Sequence, residues 1–111
     1  MTVPFAGVSC EQLLAVRDAF AEHVAATEGP DGRYAELVEH APRLAAGVAV
    51  LVREHGDMLQ AFDRLLRRAS GMDEAELRVH AGDVLRDLSR HRQRGADLVY
   101  EAYATDIGGE T

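Results

Sequence analysis

Two histidines stand at positions where the pattern of the sequence favours buried apolar residues. His91 belongs to a set of positions spaced alternately by four and three residues: Leu77, Ala81, Val84, Leu88, His91, Gly95, Leu98 and Ala102. His55 belongs to a second set with the same spacing: Leu37, Ala41, Leu44, Val48, Leu51, His55, Met58, Phe62 and Leu65. Such heptad spacing is typical of long helices packed along one another. Imidazole inside a helical bundle is a good ligand for iron or zinc, so both histidines are candidate metal ligands.

The short reversal Ser70-Gly71-Met72 joins the two helices that carry these sets. Because the loop is short, the helices must form an antiparallel hairpin. With the turn centred near Gly71, His55 is level with Asp87, and Asp87 shares a helix face with His91. The two histidines are then offset by about four residues, roughly 6 Å at 1.5 Å per residue. We therefore predict a metal site formed by His55, His91 and Asp87.

Further candidate ligands are His80, on the flank of the third helix, and His23 of the first helix. A structural interpretation is equally open. A histidine in a helix seam can pair with a carboxylate and serve only to fix the register. Three acid-to-histidine pairs have the i,i+4 spacing that stabilises helices without a metal: Glu36–His40, Glu76–His80 and Asp87–His91.

The same register places Gly47 level with Gly95. Paired glycines either let two helices approach closely or leave a hollow beside the histidines, and we favour the close approach. The sequence contains no nucleophile motif, phosphate-binding loop or paired Glu-x-x-His signature. We therefore do not expect an enzyme.

Composition favours an all-α protein. Of 111 residues, 47% are apolar but only 5% aromatic, and none is tryptophan, which is typical of a helical bundle. The net charge of −7 argues against a nucleic acid or an anionic membrane as partner. A single cysteine, Cys10, allows no intramolecular disulfide. No signal peptide is evident and no apolar run approaches the roughly 18 residues of a membrane span, so we expect a soluble cytoplasmic protein.

Helix-start and helix-stop signals divide the chain into three long helices within a single domain, 1–111. Capping boxes at Ser9–Gln12 and Asp73–Glu76 begin the first and third helices. A proline at position 42 is tolerated only in a first turn, so the second helix should kink there. The expected helices are about 9–28, 33–69 and 73–105. Apolar surface left over on such a three-helix bundle favours a homodimer that completes a larger bundle.

The residues around both histidines form a longer pattern. His55 lies in Val52-Arg53-Glu54-His55-Gly56-Asp57-Met58-Leu59, and His91 ends Leu88-Ser89-Arg90-His91. Together with residues 92–103 and the Asp-Ile-Gly-Gly tail, these runs resemble the hemerythrin-like (HHE cation-binding) domain family, in particular its short bacterial members. The resemblance implies a four-helix bundle with a non-haem di-iron centre, and a role in oxygen, nitric oxide or iron sensing or storage.

Within that resemblance, His55 and His91 match family ligands by position. The carboxylate expected four residues after the second histidine is Gly95 here, and the residue four after His55 is Leu59. Asp87, Asp97 or a second copy of the chain would then complete the site, or the protein binds no metal. The alternative function is a metal-free helical dimerisation or protein-interaction module with structural histidines.

Overall fold

The computed structural model describes residues 9–108, with side chains described for 9–103. Four α-helices follow one another: α1 (Cys10–Glu28), α2 (Arg33–His40), α3 (Ala45–Arg68) and α4 (Glu74–Gly108). Two 3₁₀ turns, Pro42–Leu44 and Ala69–Gly71, link α2 to α3 and extend α3. No strand occurs within 9–108. The predicted all-α bundle of three long helices, the second of them kinked, is therefore confirmed.

Both predicted capping boxes are present. The Ser9 hydroxyl accepts a hydrogen bond from the Gln12 backbone N–H at 3.1 Å, and the Gln12 side chain accepts from the Ser9 backbone N–H at 2.9 Å. At the start of α4, the Glu76 N–H donates to Asp73 at 2.8 Å and the Asp73 N–H donates to the Glu76 side chain. These bonds satisfy backbone donors that the first helical turn leaves without an intrahelical partner.

The kink lies where the proline predicts it. Helix α2 ends at His40, and Pro42 begins a 3₁₀ turn that leads into α3 at Ala45. A proline ring has no N–H to continue the α2 hydrogen bonds, but it fits the first turn of a new segment. The change of direction packs α2 against the start of α3, where Tyr34 and Leu37 join one cluster with Leu51.

Helices α1 and α4 both pack along α3. Leu13 near the start of α1 shares a cluster with Leu65 near the end of α3, whereas Glu28 at the end of α1 contacts His55. Helix α1 is thus antiparallel to α3. The hairpin makes α4 antiparallel to α3 as well, so α1 and α4 run in the same direction on either side of a groove.

Three apolar clusters follow one another along the bundle. One end is built around Leu13, Leu65 and Leu77, the middle around Phe20, Met58 and Phe62, and the other end around α2 and the start of α3. All nine positions of the α2–α3 set are buried, and all eight of the α4 set are buried or partly buried. Both predicted seams therefore face the interior.

The hairpin register differs from the expected one. The turn Ala69–Gly71 continues α3, and α4 begins only at Glu74, so the reversal is centred after Gly71. The residue opposite His55 is consequently His91 rather than Asp87. Gly47 likewise meets Leu98 rather than Gly95. Within 9–108, no helix is long and apolar enough to cross a membrane.

Candidate metal centre

Three histidines from three helices converge in the middle of the bundle. His23 comes from α1, His55 from α3 and His91 from α4, and one ring nitrogen of each lies within 4.8 Å of the other two. Among the described residues, these three form the group whose donor atoms could hold a metal ion. His55 and His91 are only 1% and 2% exposed, whereas His23 is exposed on the groove side.

A carboxylate holds the outer nitrogen of each buried ring. The Nδ1 atom of His55 lies 2.6 Å from Glu28 Oε2, and the Nδ1 atom of His91 lies 2.9 Å from Glu54 Oε1. An ionised carboxylate only accepts hydrogen bonds, so each Nδ1 carries the proton and donates it. In a neutral imidazole the other nitrogen, Nε2, is then left with a free lone pair. This is the tautomer that second-shell carboxylates select in metal-binding histidines.

The two Nε2 atoms face each other at 3.0 Å. Two lone pairs at that distance repel unless a proton or a cation lies between them. Two nitrogens that each lie about 2.0–2.1 Å from a tetrahedral zinc ion are about 3.3 Å apart. The observed separation is thus close to that of two ligands on one ion.

Burial keeps two of the three histidines, His55 and His23, in the neutral state that binds cations. Burial lowers the pKa of His55 and outweighs the opposing effect of its hydrogen bond with Glu28. Burial also lowers the pKa of His23, and so does the proximity of His55 and His91. Both rings are therefore neutral near pH 7, and metal binding requires neutral imidazole.

Glu54 is ionised despite being partly buried. Burial alone would raise its pKa, but hydrogen bonds from Arg94 and His91 outweigh that effect and lower the pKa of its carboxyl group. One carboxylate oxygen accepts from His91 and the other forms an ion pair with Arg94. Glu54 thus links the buried centre to a charged group at the surface.

Two aromatic rings enclose the histidines. Tyr34 stacks on His55 with ring centroids 5.6 Å apart, and its hydroxyl lies 3.2 Å from His55 Nε2. Burial raises the pKa of Tyr34, so the hydroxyl stays protonated and can donate a hydrogen bond into the centre. Phe20 presents its ring at right angles to both His55 and His91, at centroid distances of 5.5 and 5.7 Å. These contacts help to bury the rings of His55 and His91.

The structure brings together only part of the predicted ligand set. His55 and His91 meet, and His23 joins them. Asp87 is about half exposed and pairs with Arg90, and His80 is exposed on α4; neither belongs to the group of converging donor atoms. Glu54 directly precedes His55 in the sequence, and this adjacency is the one sequence signal that could have pointed to it. Glu28 and Tyr34 flank the turn between α1 and α2, and nothing in their spacing indicates the centre.

A groove of about 540 Å³ leads to the cluster between α1 and α4. Gly95 forms part of its wall, and a Cβ atom built there would meet no atom within 4 Å. At Gly47, by contrast, a Cβ would lie 2.8 Å from Leu98 Cδ1. The two effects proposed for a glycine pair therefore occur at separate places: close approach of helices at Gly47 and a hollow beside the histidines at Gly95.

The donor set fits one ion better than a di-iron centre. A di-iron pair in a helical bundle is held largely by carboxylates. Glu28 and Glu54 contact the Nδ1 atoms, on the far side of each ring from the shared Nε2 space. The group of converging donors in the described part of the chain consists of imidazoles alone.

No protein-family model, curated protein or solved structure matches this chain. The chemistry of the three histidines and of the groove beside them is therefore the basis for assigning a function.

Proposed function

We propose that the protein binds a single transition-metal ion through His23, His55 and His91. The observation that carries this proposal is the arrangement of the two buried rings, whose Nε2 atoms lie 3.0 Å apart while carboxylates occupy both Nδ1 atoms. An ion in the shared space would replace the repulsion between two lone pairs by two coordinate bonds. The exposed ring of His23 would close the site from the groove side.

Three protein ligands leave at least one coordination position for another molecule. Sites with three protein ligands are typically those that bind a substrate or small ligand, whereas purely structural zinc sites use four. The position left open would face the groove, within reach of the Tyr34 hydroxyl as hydrogen-bond donor. The resemblance to hemerythrin-like proteins favours iron as the metal and oxygen or nitric oxide as the small ligand, hence a sensing or storage role.

The direct test is metal analysis of the full chain purified without chelators, followed by titration of chelator-treated protein with Fe²⁺ under anaerobic conditions and with Zn²⁺. We expect about one ion per chain, because the three converging imidazoles form a single site. The double variant His55→Ala/His91→Ala should lose it. The matched control is His80→Ala, which removes an exposed histidine outside the group and should bind normally.

A second experiment tests Glu54, the carboxylate that orients His91. Glu54→Gln should weaken metal affinity by about 10–100-fold, the usual effect of removing a second-shell partner. The control Glu39→Gln removes an exposed carboxylate from α2 and should leave affinity unchanged. Circular dichroism checks that each variant folds. The proposal would be refuted if wild-type protein bound neither metal and its melting temperature did not change when either metal was added.

One observation favours a second candidate, a metal-free interaction module. Every buried side-chain nitrogen or oxygen among the described residues has a hydrogen-bond partner. Under this candidate a proton shared between His55 and His91 takes the place of the ion, and the cluster only fixes the packing of α1, α3 and α4. The metal titration separates the two candidates, because the module would be indifferent to iron and zinc.

A further inference from the structure

The groove between α1 and α4 has a charge opposite to that of the whole molecule. The chain carries 19 acidic and 12 basic residues. None of the residues that line the groove is acidic, and the two formally charged ones, Arg33 and Arg92, are basic. An anion that avoids the rest of this surface would therefore be attracted to the groove.

Arg33 and Arg92 are available for a ligand. Neither forms a hydrogen bond or an ion pair with any residue in the described part of the chain, whereas Arg86, Arg90 and Arg94 each pair with a carboxylate. Both act electrostatically on His23, whose pKa their charges help to lower after burial and the two buried histidines. The two guanidinium groups thus belong to the same part of the groove as His23.

The remaining wall is largely apolar. Val16 and Phe20 line it from α1, and Leu88 and Val99 line it from α4, with Gly95 between the two α4 residues in the sequence. Along α4 the twelve residues from Leu88 to Val99 span about 16 Å, since eleven steps separate them at 1.5 Å per residue. The volume of about 540 Å³ lies within the roughly 300–1,000 Å³ of typical small-molecule sites. A ligand that fills the groove must therefore have an apolar body as well as an anionic group.

We propose that this groove binds an amphipathic carboxylate, with its anionic head held by Arg33 and Arg92 and its apolar body between α1 and α4. Guanidinium groups recognise carboxylates by paired, charge-assisted hydrogen bonds. The site shares the walls formed by His23 and His91 with the metal centre. It needs no metal, so its test is independent of the proposed function.

The experiment uses the full chain in the presence of a chelator and compares decanoate with 1-decanol by titration calorimetry. Decanoate should bind more tightly than the uncharged alcohol. The double variant Arg33→Gln/Arg92→Gln should weaken decanoate binding by about tenfold or more, through lost charge-assisted hydrogen bonds, and leave decanol binding unchanged. The control Arg64→Gln/Arg67→Gln alters two arginines of α3 outside the groove and should behave as wild type.

A second pair of variants tests the location. Gly95→Leu places a side chain in the groove and should abolish binding of both molecules, whereas Gly56→Leu introduces the same side chain at an exposed position of α3; at both positions a Cβ atom meets nothing within 4 Å. Equal binding of decanoate to both variants would overturn the proposal, and so would no binding to wild type. A concentration-dependent dimer that Gly95→Leu abolishes would also overturn it, since a second copy would then occupy the groove.

Discussion

Carboxylates determine which nitrogen of each buried histidine faces the centre. His55 and His91 are nearly inaccessible, and each donates from Nδ1 to a glutamate that reaches in from the periphery. Because Glu28 belongs to α1 and Glu54 to α3, the ring orientations depend on two different helices. A substitution at either glutamate should therefore act on the proposed metal site without changing a proposed ligand.

The site residues that could be predicted from the sequence are those whose helical spacing places them in a buried seam. His55 and His91 occupy seam positions, so the heptad pattern predicts that both are buried, and the short loop between their helices predicts that they lie within about one helical turn of each other. For His23 the sequence indicates only a further candidate ligand in the first helix. The partnership of Glu28 with His55 could not be foreseen, because it depends on how the turn 29–32 places the end of α1 against the middle of α3.

His55 and His23 make the stability of metal-free protein depend on pH. The pKa of His55 is lowered by burial relative to about 6.5 in an unfolded chain, and the pKa of His23 is lowered as well. Below about pH 6.5 the unfolded chain binds protons that the folded chain does not, so the free energy of unfolding falls as the pH falls. Above that value both states are neutral at these groups and the contribution is constant.

Urea denaturation of chelator-treated protein between pH 8 and pH 5 measures this dependence. We expect stability to decline on the acid side of about pH 6.5, where the unfolded histidines become protonated. The variant His55→Gln should show a shallower decline, while His80→Ala, which changes an exposed histidine, should follow wild type. An identical pH profile for His55→Gln would contradict the prediction.

At the scale of the helices, the lengths of the elements could be predicted and their relative register could not. Capping boxes and Pro42 have local physical causes, and the structure places helix boundaries within about three residues of the expected ones. The register depends on the conformation of residues 69–73, where a 3₁₀ turn prolongs α3. Because of this extension, His91 lies opposite His55, where the expected register placed Asp87.

The two glycines in α3 should respond differently to the same substitution. Gly56→Ala adds a methyl group in open space and should raise the free energy of unfolding by about 1 kcal/mol, the difference in helix propensity between glycine and alanine. At Gly47 the new Cβ would lie 2.8 Å from Leu98 Cδ1, so the propensity gain is offset by displacement of that side chain. Denaturant unfolding of both variants measures the difference. Equal stabilisation would show that α3 and α4 do not approach closely at Gly47.

As a whole the molecule is elongated and thin, with extents of 56 × 31 × 17 Å. Helices α1 and α4 flank α3. A bundle of four long helices would need one more long helix on the open side. Large apolar side chains are exposed at several separate points: Leu14, Val50, Val52, Val79, Tyr100 and Tyr103. Scattered residues of this kind are common on monomers, so the predicted homodimer remains a prediction.

Light scattering at micromolar concentration tests the homodimer. A dimer should have twice the 12.1 kDa mass of the chain. Leu88 is unsuitable for disrupting it, because Leu88 packs against the internal cluster around Phe20. Val79→Asp/Tyr100→Asp is the better variant, since these α4 side chains are 60% and 75% exposed and their removal spares the core. A monomeric wild type would contradict the prediction.

The unequal exposure of the three histidines has a kinetic consequence. His23 is the exposed member of the three and lines the groove, whereas His55 and His91 are almost inaccessible, so an ion held at the proposed centre would exchange with solvent on the side of His23. Movement of one exposed side chain would therefore control how fast the ion is released, while the buried pair controls how selectively it is held. If the proposed centre holds an ion, its transfer to a competing chelator would then require movement of that side chain and no unfolding of the bundle.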